Sequence, residues 1–174
     1  MRNKIIIILT ALTALAAMLA FNPLQSCVKA SASTAVSPNG RNVVTVGVDA
    51  GRPYYLVNVD GRTVIDSSFV SLEFLDGILG ANSELLGSEI SSFDQTWEQP
   101  WGEESTVRNN YNALTLHFRE TDSLSRLFDI EFRVFDDGVG FRYLIPAQDG
   151  VESLVLMDEN TRFNLAEEAV AWSI

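Results

Sequence analysis

Between residues 112 and 120, Leu114, Leu116 and Phe118 alternate with Thr115, His117 and Arg119. A period of two puts one set on each face of an extended chain, so this stretch reads as a half-buried antiparallel strand. The same alternation recurs at 43–49, 54–60, 129–135 and 139–145. In the last two, Ile130, Phe132 and Val134 face inward on one strand and Val139, Phe141 and Tyr143 on the other. The intervening Asp136-Asp137-Gly138 predicts a hairpin. Shorter strands are predicted at 62–65, 71–74, 153–157 and 161–163, and a single helical turn at 165–171.

Turn signals set the fold class. Asn39-Gly40, Asp60-Gly61, Asp76-Gly77, Asp137-Gly138 and Asp149-Gly150 are pairs in which both residues tolerate the positive φ that tight primed turns require. Many short strands broken by such turns, with no sustained helical period after the first residues, predict an all-β antiparallel β-sandwich. One region interrupts the rhythm. From Gly77 to Asn112 no further Asx-Gly pair occurs, and Ser, Asn, Glu and Trp dominate. A connection that long is uncommon in a compact sandwich unless it has a function or contains strands of its own. The last residues, Glu167 to Ile174, end on an apolar, strand-like note, whereas domain ends usually fray into polar residues. The expectation is a truncated sequence from which a following domain is missing.

Composition narrows the function. The chain has 174 residues, a net charge of -11, one Cys and one His. A single Cys excludes an intramolecular disulfide framework, and one His excludes a multi-histidine metal centre. The acidic balance argues against nucleic acid, whose phosphates need a Lys/Arg surface.

At the start, Arg2 and Lys4 precede an apolar run from Ile5 to Phe21, the layout of a secretory signal. Two exits compete: Ala30-Ser31-Ala32 suits ordinary signal peptidase, and Leu24-Gln25-Ser26-Cys27 resembles a lipobox whose Cys27 would be lipidated. Gln25 is atypical of that motif, and both readings stay open. A retained membrane helix fits less well, because Asn22-Pro23 ends the run and no basic stop-transfer cluster follows. The division is therefore a signal at 1–32 and one β-sandwich domain at 33–174, placed in the periplasm or anchored at the outer membrane. Removing 1–32 takes Arg2, Lys4 and Lys29 and no acid, leaving nine basic against 23 acidic residues, or -14.

Candidate chemistry gathers in the irregular region. Sugars are held by aromatic faces stacked on the ring, with carboxylates and amides reading the hydroxyls. Trp97, Trp101 and Tyr111 lie among Glu98, Glu103, Asn109 and Asn110, which supply both components. The bland alternative is that the tryptophans cap the open end of the sandwich and the glutamates are solvated. Glycoside hydrolysis needs two carboxyl groups facing each other across the bond. Glu98, Glu103 and Glu104 are numerous enough for a pair, but no spacing rule identifies one, and acids are abundant throughout. His117 reads as an exposed sheet residue. Asp136, Asp137 and Asp158 have calcium-binding chemistry, although the first two are more simply turn residues. No Gly-x-Ser-x-Gly elbow, phosphate loop or dinucleotide fingerprint occurs.

Several ordered motifs carry a resemblance. They are Ser37-Pro38-Asn39-Gly40, Pro53-Tyr54-Tyr55, Asp94-Gln95-Thr96-Trp97-Glu98, Trp101-Gly102-Glu103 and Arg108-Asn109-Asn110-Tyr111-Asn112. The run from Phe132 to Tyr143 and Ala169-Val170-Ala171-Trp172 complete the set. Together they resemble the N-terminal domain of glycoside hydrolase family 97, the α-glucosidases and α-galactosidases of Bacteroides-type bacteria. Gln99, Gly140 and Ser173 depart from the expected pattern without threatening the fold.

The resemblance implies a large two-sheet β-sandwich followed by a (β/α)8 catalytic barrel and a small C-terminal β-domain. The catalytic carboxylates and most of a calcium site would belong to the barrel, so no catalytic residue or metal ligand is assigned in this chain and no turnover is expected from it alone. By matching position, Trp97, Glu98, Trp101, Gly102, Glu103, Asn109 and Tyr111 are candidates for the substrate rim or the barrel interface. The partners implied are an α-linked oligosaccharide and the barrel itself. Two rivals stand: a stand-alone secreted or lipid-anchored sugar-binding module, and a hydrolase site within the acidic loop. An exposed Trp platform favours a binding module, a large apolar patch favours a docking domain, and converging carboxylates favour the independent site.

Overall fold

The computed structural model describes residues 32–168 and 170. The signal, its two exits and Cys27 lie outside the described residues, apart from Ala32, which opens the first strand. The chain forms β1 (Ala32–Val36), β2 (Asn42–Asp49), β3 (Arg52–Val59), β4 (Arg62–Phe69), β5 (Leu72–Phe74) and β6 (Gly77–Leu79). It continues with β7 (Ser83–Glu98), β8 (Thr106–Glu120), β9 (Leu127–Phe135), β10 (Val139–Leu144), β11 (Leu156–Glu159) and β12 (Asn164–Leu165). No helix occurs among the described residues. The turn predicted at 165–171 is not helical in its described part: Leu165 closes β12, and Ala169 and Ala171 are outside the described residues.

All pairings are antiparallel, and they build three sheets. A five-stranded sheet runs β1-β2-β3-β4-β12, a four-stranded one β10-β9-β8-β7, and a small one β11-β5-β6. The two larger sheets meet through their alternating apolar positions. Val44, Val46, Tyr55 and Val57 come from one side, and Leu114, Leu116, Phe118, Ile130, Phe132 and Val134 from the other, all buried. Tyr55 sits in the middle, with ring centroids 5.5 Å from Phe132 and 5.6 Å from Phe141. Its hydroxyl donates to the Arg162 carbonyl at 2.9 Å, which gives this buried polar tip a partner.

The β9–β10 hairpin forms as the pattern predicts, with Phe132 opposite Phe141 and Val134 opposite Val139. Its turn differs from expectation, since neither Asp136, Asp137 nor Gly138 takes positive φ. The primed geometry appears instead at Asp60-Gly61, with φ of 49° and 78°, and at Ala50-Gly51, with 48° and 79°. Ala50 carries no Asx signal, so that second turn was illegible from sequence.

The weak end strands shift: β11 starts at Leu156 rather than 153, and the 161–163 strand is replaced by β12 at Asn164–Leu165. The larger correction concerns residues 77–112. They contain β6, all of β7 and the first half of β8, and are strands rather than a connection. Alternation fails in β7 for two reasons. A register shift between Leu85 and Gly87 breaks the period, and from Ser88 to Glu98 every residue is exposed, so neither face needs apolar side chains.

A buried ion cluster fastens the small sheet to this frame. Arg126 donates through Nε and NH2 to both carboxylate oxygens of Glu120, at 2.5 and 3.0 Å, with both side chains almost fully buried. Its NH1 reaches Asp76 Oδ1 at 2.9 Å, holding the β5–β6 turn.

Candidate functional site

Strands β7 and β8 pair from Ser83↔Glu120 to Glu98↔Thr106, and their outer half runs past the sandwich as a two-stranded arm. Residues directly opposite share a face. One face therefore holds Phe93 with Tyr111, Gln95 with Asn109, and Trp97 with Val107. The other holds Ser92 with Asn112, Asp94 with Asn110, and Glu98 with Thr106. Of the sequence candidates, Trp97, Asn109 and Tyr111 are on one face, Glu98 is turned to the opposite one, and Trp101, Gly102 and Glu103 occupy the tip loop.

The aromatic face is rooted in the sandwich. Phe93 stacks on Tyr111 at 5.3 Å, Tyr111 meets Phe135 at 5.1 Å, and the Arg133 guanidinium lies 4.8 Å above the Tyr111 ring. Tyr111 is buried at the base of this stack, so it anchors the arm rather than presenting itself to a ligand. Towards the tip exposure rises, to 42% for Trp97 and 81% for Trp101. The tryptophans do not cap the sandwich end. They stand on the arm, beyond the core.

The tip is held by its own backbone. Gln99 N donates to Ser105 O at 3.0 Å and Gln99 Nε2 to Glu104 O at 3.1 Å. Gly102 takes φ of 100°, and a Cβ there would meet Gln99 Nε2 at 3.3 Å, so glycine fits both the backbone and the space. On the reverse face Arg108 forks onto both oxygens of Asp94, at 2.8 and 2.6 Å. The bidentate bond holds the Asp94 carboxyl below its ordinary range and raises Arg108. Nearer the sandwich, Ser92 donates to Asn112 Oδ1, and Asn112 Nδ2 donates to Val36 O at 2.7 Å, tying the arm to β1. Sequence reasoning missed Phe93, Gln95 and the Asp94–Arg108 pair; the spacing Phe93-x-Gln95-x-Trp97 was the available signal.

Other charged groups are engaged elsewhere. His117 Nδ1 lies 2.8 Å from Asp129 Oδ1 on the outward face of the four-stranded sheet. Beside them Glu131 accepts from Arg133 and Arg142; burial raises its pKa, the two arginine bonds outweigh that, and the net shift is downward. Asp136 Oδ1 accepts from Asn39 N at 2.8 Å, and Asp158 Oδ1 from Glu159 N at 2.8 Å. Among the described residues no three His, Cys, Asp or Glu side chains are grouped to hold a metal, and Asp136, Asp137 and Asp158 are not brought together.

A second surface stands out. Leu75, Val155, Leu156 and Met157 are exposed around β5 and β11, where Leu75 N donates to Val155 O at 3.0 Å.

Comparison with known proteins agrees with this architecture. A retaining alpha-galactosidase of Bacteroides thetaiotaomicron is 31% identical over 114 residues, which are 64% of this chain and 16% of that protein. A probable retaining alpha-galactosidase of Streptomyces bingchenggensis is 28% identical over 116 residues, 67% of this chain and 17% of that one. A glycoside hydrolase family 97 enzyme from Pseudoalteromonas sp. strain K8, solved in complex with panose, superposes with a TM-score of 0.73 at 29% identity. That match covers 77% of this chain and 20% of the enzyme, and the same enzyme is also solved with acarbose. A beta-arabinopyranosidase crystal structure gives 0.68 at 27% identity, over 75% of this chain and 21% of that one. The chain thus spans about a sixth to a fifth of the length of these relatives. The family described as Glycosyl-hydrolase 97 N-terminal matches residues 35–174, and the chain belongs to it.

Proposed function

We propose that this chain is the carbohydrate-binding, barrel-supporting N-terminal domain of a longer exo-acting α-glycosidase, an α-glucosidase or α-galactosidase, to whose pocket rim it lends the β7–β8 arm. The observation that carries this reading is the arm itself. A rigid ribbon rooted by Phe93, Tyr111 and Phe135 presents Trp97 and Trp101 to solvent. Gln95 and Asn109 lie side by side on the Trp97 face. An indole flanked by amides is the chemistry that stacks on a sugar ring and reads its hydroxyls.

The chemistry belongs to the catalytic barrel of the longer protein, together with its calcium. General acid and nucleophile must face each other across the scissile bond, and this chain supplies positioning at the rim. The stand-alone module is less well supported, because Leu75, Val155, Leu156 and Met157 form an exposed apolar surface of the kind a neighbouring domain covers. The signal-like layout of residues 1–32, with Cys27 as a lipidation candidate, supports a location in the periplasm or at the outer membrane. Its test is a titration of the chain with panose, followed by tryptophan emission. The proposal predicts saturable quenching that Trp101→Ala weakens and Trp97→Ala abolishes, with far-UV dichroism unchanged. A titration that is flat at millimolar panose removes sugar binding from the account of this domain.

A further inference from the structure

We propose that the uncharged face of the β7–β8 arm is an elongated platform for a linear α-linked oligosaccharide of about three units, with Phe93 as its inner stacking surface and Trp97 as its outer one. The inference rests on the reading of the arm as a sugar-binding element, and adds to it a chain-length requirement and a second ring. Charge is divided between the two faces of the ribbon. Asp94, Glu98 and Arg108 all stand on one, and Phe93, Tyr111, Gln95, Asn109, Trp97 and Val107 on the other, so that face carries no charge over three successive cross-strand pairs. In a chain of net charge -11 such a stretch suits a neutral ligand.

Residues two apart on a strand share a face, so Phe93, Gln95 and Trp97 form a row along β7. Four steps of about 3.3 Å set the two rings about 13 Å apart, with the Gln95 and Asn109 pair midway. One pyranose ring cannot reach both aromatics, whereas about three α-linked units laid end to end can. Phe93 has a side to offer. Its ring stacks on Tyr111 at 5.3 Å with an interplanar angle of 23°, which occupies one face, and it remains 39% exposed, close to the 42% of Trp97. Strand β7 is the last of its sheet, so among the described residues no strand flanks this row on its outer side.

The order of groups along the row separates a sugar from a protein partner. Docking surfaces between domains are contiguous apolar patches, as around Leu75, Val155, Leu156 and Met157. Here two rings are separated by two amides, which matches the alternation of ring faces and hydroxyls along an oligosaccharide. The reverse face lacks the aromatic component, and its polar groups are taken up internally, Arg108 by Asp94, and Asn112 by Ser92 and the Val36 carbonyl.

The test titrates the 174-residue chain by calorimetry with glucose, maltose and maltotriose, and in parallel with galactose, melibiose and raffinose. The proposal predicts that in one series the trisaccharide binds about tenfold more tightly than the disaccharide. Phe93→Leu keeps an apolar contact on Tyr111 but has no ring face, and its loss should be confined to the trisaccharide, whose affinity falls to that of the disaccharide with far-UV dichroism unchanged. Equal affinity for all lengths, or a trisaccharide gain that survives Phe93→Leu, overturns the inference while sugar binding at Trp97 stands. So does an equal loss for both ligands, since Phe93 would then only support the arm. Absence of binding in both series overturns it together with the reading on which it rests.

Discussion

At Arg126 and Glu120 two opposite charges lie almost completely out of water, and each is tolerable only because of the other. Arg126→Met strands the carboxylate, so denaturant unfolding should show a loss of about 3–5 kcal/mol. The double replacement Arg126→Met with Glu120→Leu should recover most of it, because two apolar groups leave no buried charge unmet. The tyrosines give a pH prediction. Burial pushes both Tyr55 and Tyr143 up to about 12, against the ordinary 10.0. A raised folded pKa means that the unionised form stabilises the fold. That contribution is complete below pH 10 and is lost as pH rises towards about 12, so alkaline unfolding monitored by near-UV dichroism should fall in this window. At this scale the sequence was partly informative. The core residues of β8, β9 and β10 were readable because they alternate. The Arg126 cluster was not, because Asp76, Glu120 and Arg126 sit in turns and strand ends where a charge normally means exposure.

Among the elements, the β9–β10 hairpin and the β7–β8 arm show what a periodic pattern does and does not reveal. The hairpin was legible because one of its faces is buried throughout. Register and core then demand the same residues, even though its turn is not the primed one that Asp137-Gly138 suggested. The arm was illegible as strand because water meets both of its faces; only its composition showed. Its candidate residues were found by type, but their division between two faces needed the register, which sets Glu98 opposite Trp97 in orientation. An element outside the core should also be dispensable to it. Replacing residues 94–108 with a two-residue turn should leave thermal unfolding within a few degrees of the parent, since the excised positions are exposed or half-buried. A large fall in the transition temperature would show that the arm supports the sandwich.

For the whole molecule, an acidic all-β sandwich was legible from alternation, turn spacing and charge, and the family from ordered motifs. The exposure of Phe163 and Leu165 was not, because it depends on which elements pack across from them rather than on their own pattern. The exposed apolar surface around β11 and the arm with its tryptophans are the two features on which the proposed longer enzyme rests. The matched part of this chain is 16% of the Bacteroides relative and 20% of the family 97 enzyme solved with panose and with acarbose. The central claim is that the chain serves within a longer α-glycosidase, and the most direct measurement is the genomic reading frame after codon 174. The account predicts an uninterrupted frame running into alternating strands and helices of barrel type. A stop codon directly after Ile174, found in the transcript as well as the gene, would contradict it and leave the chain as a sugar-binding module acting alone.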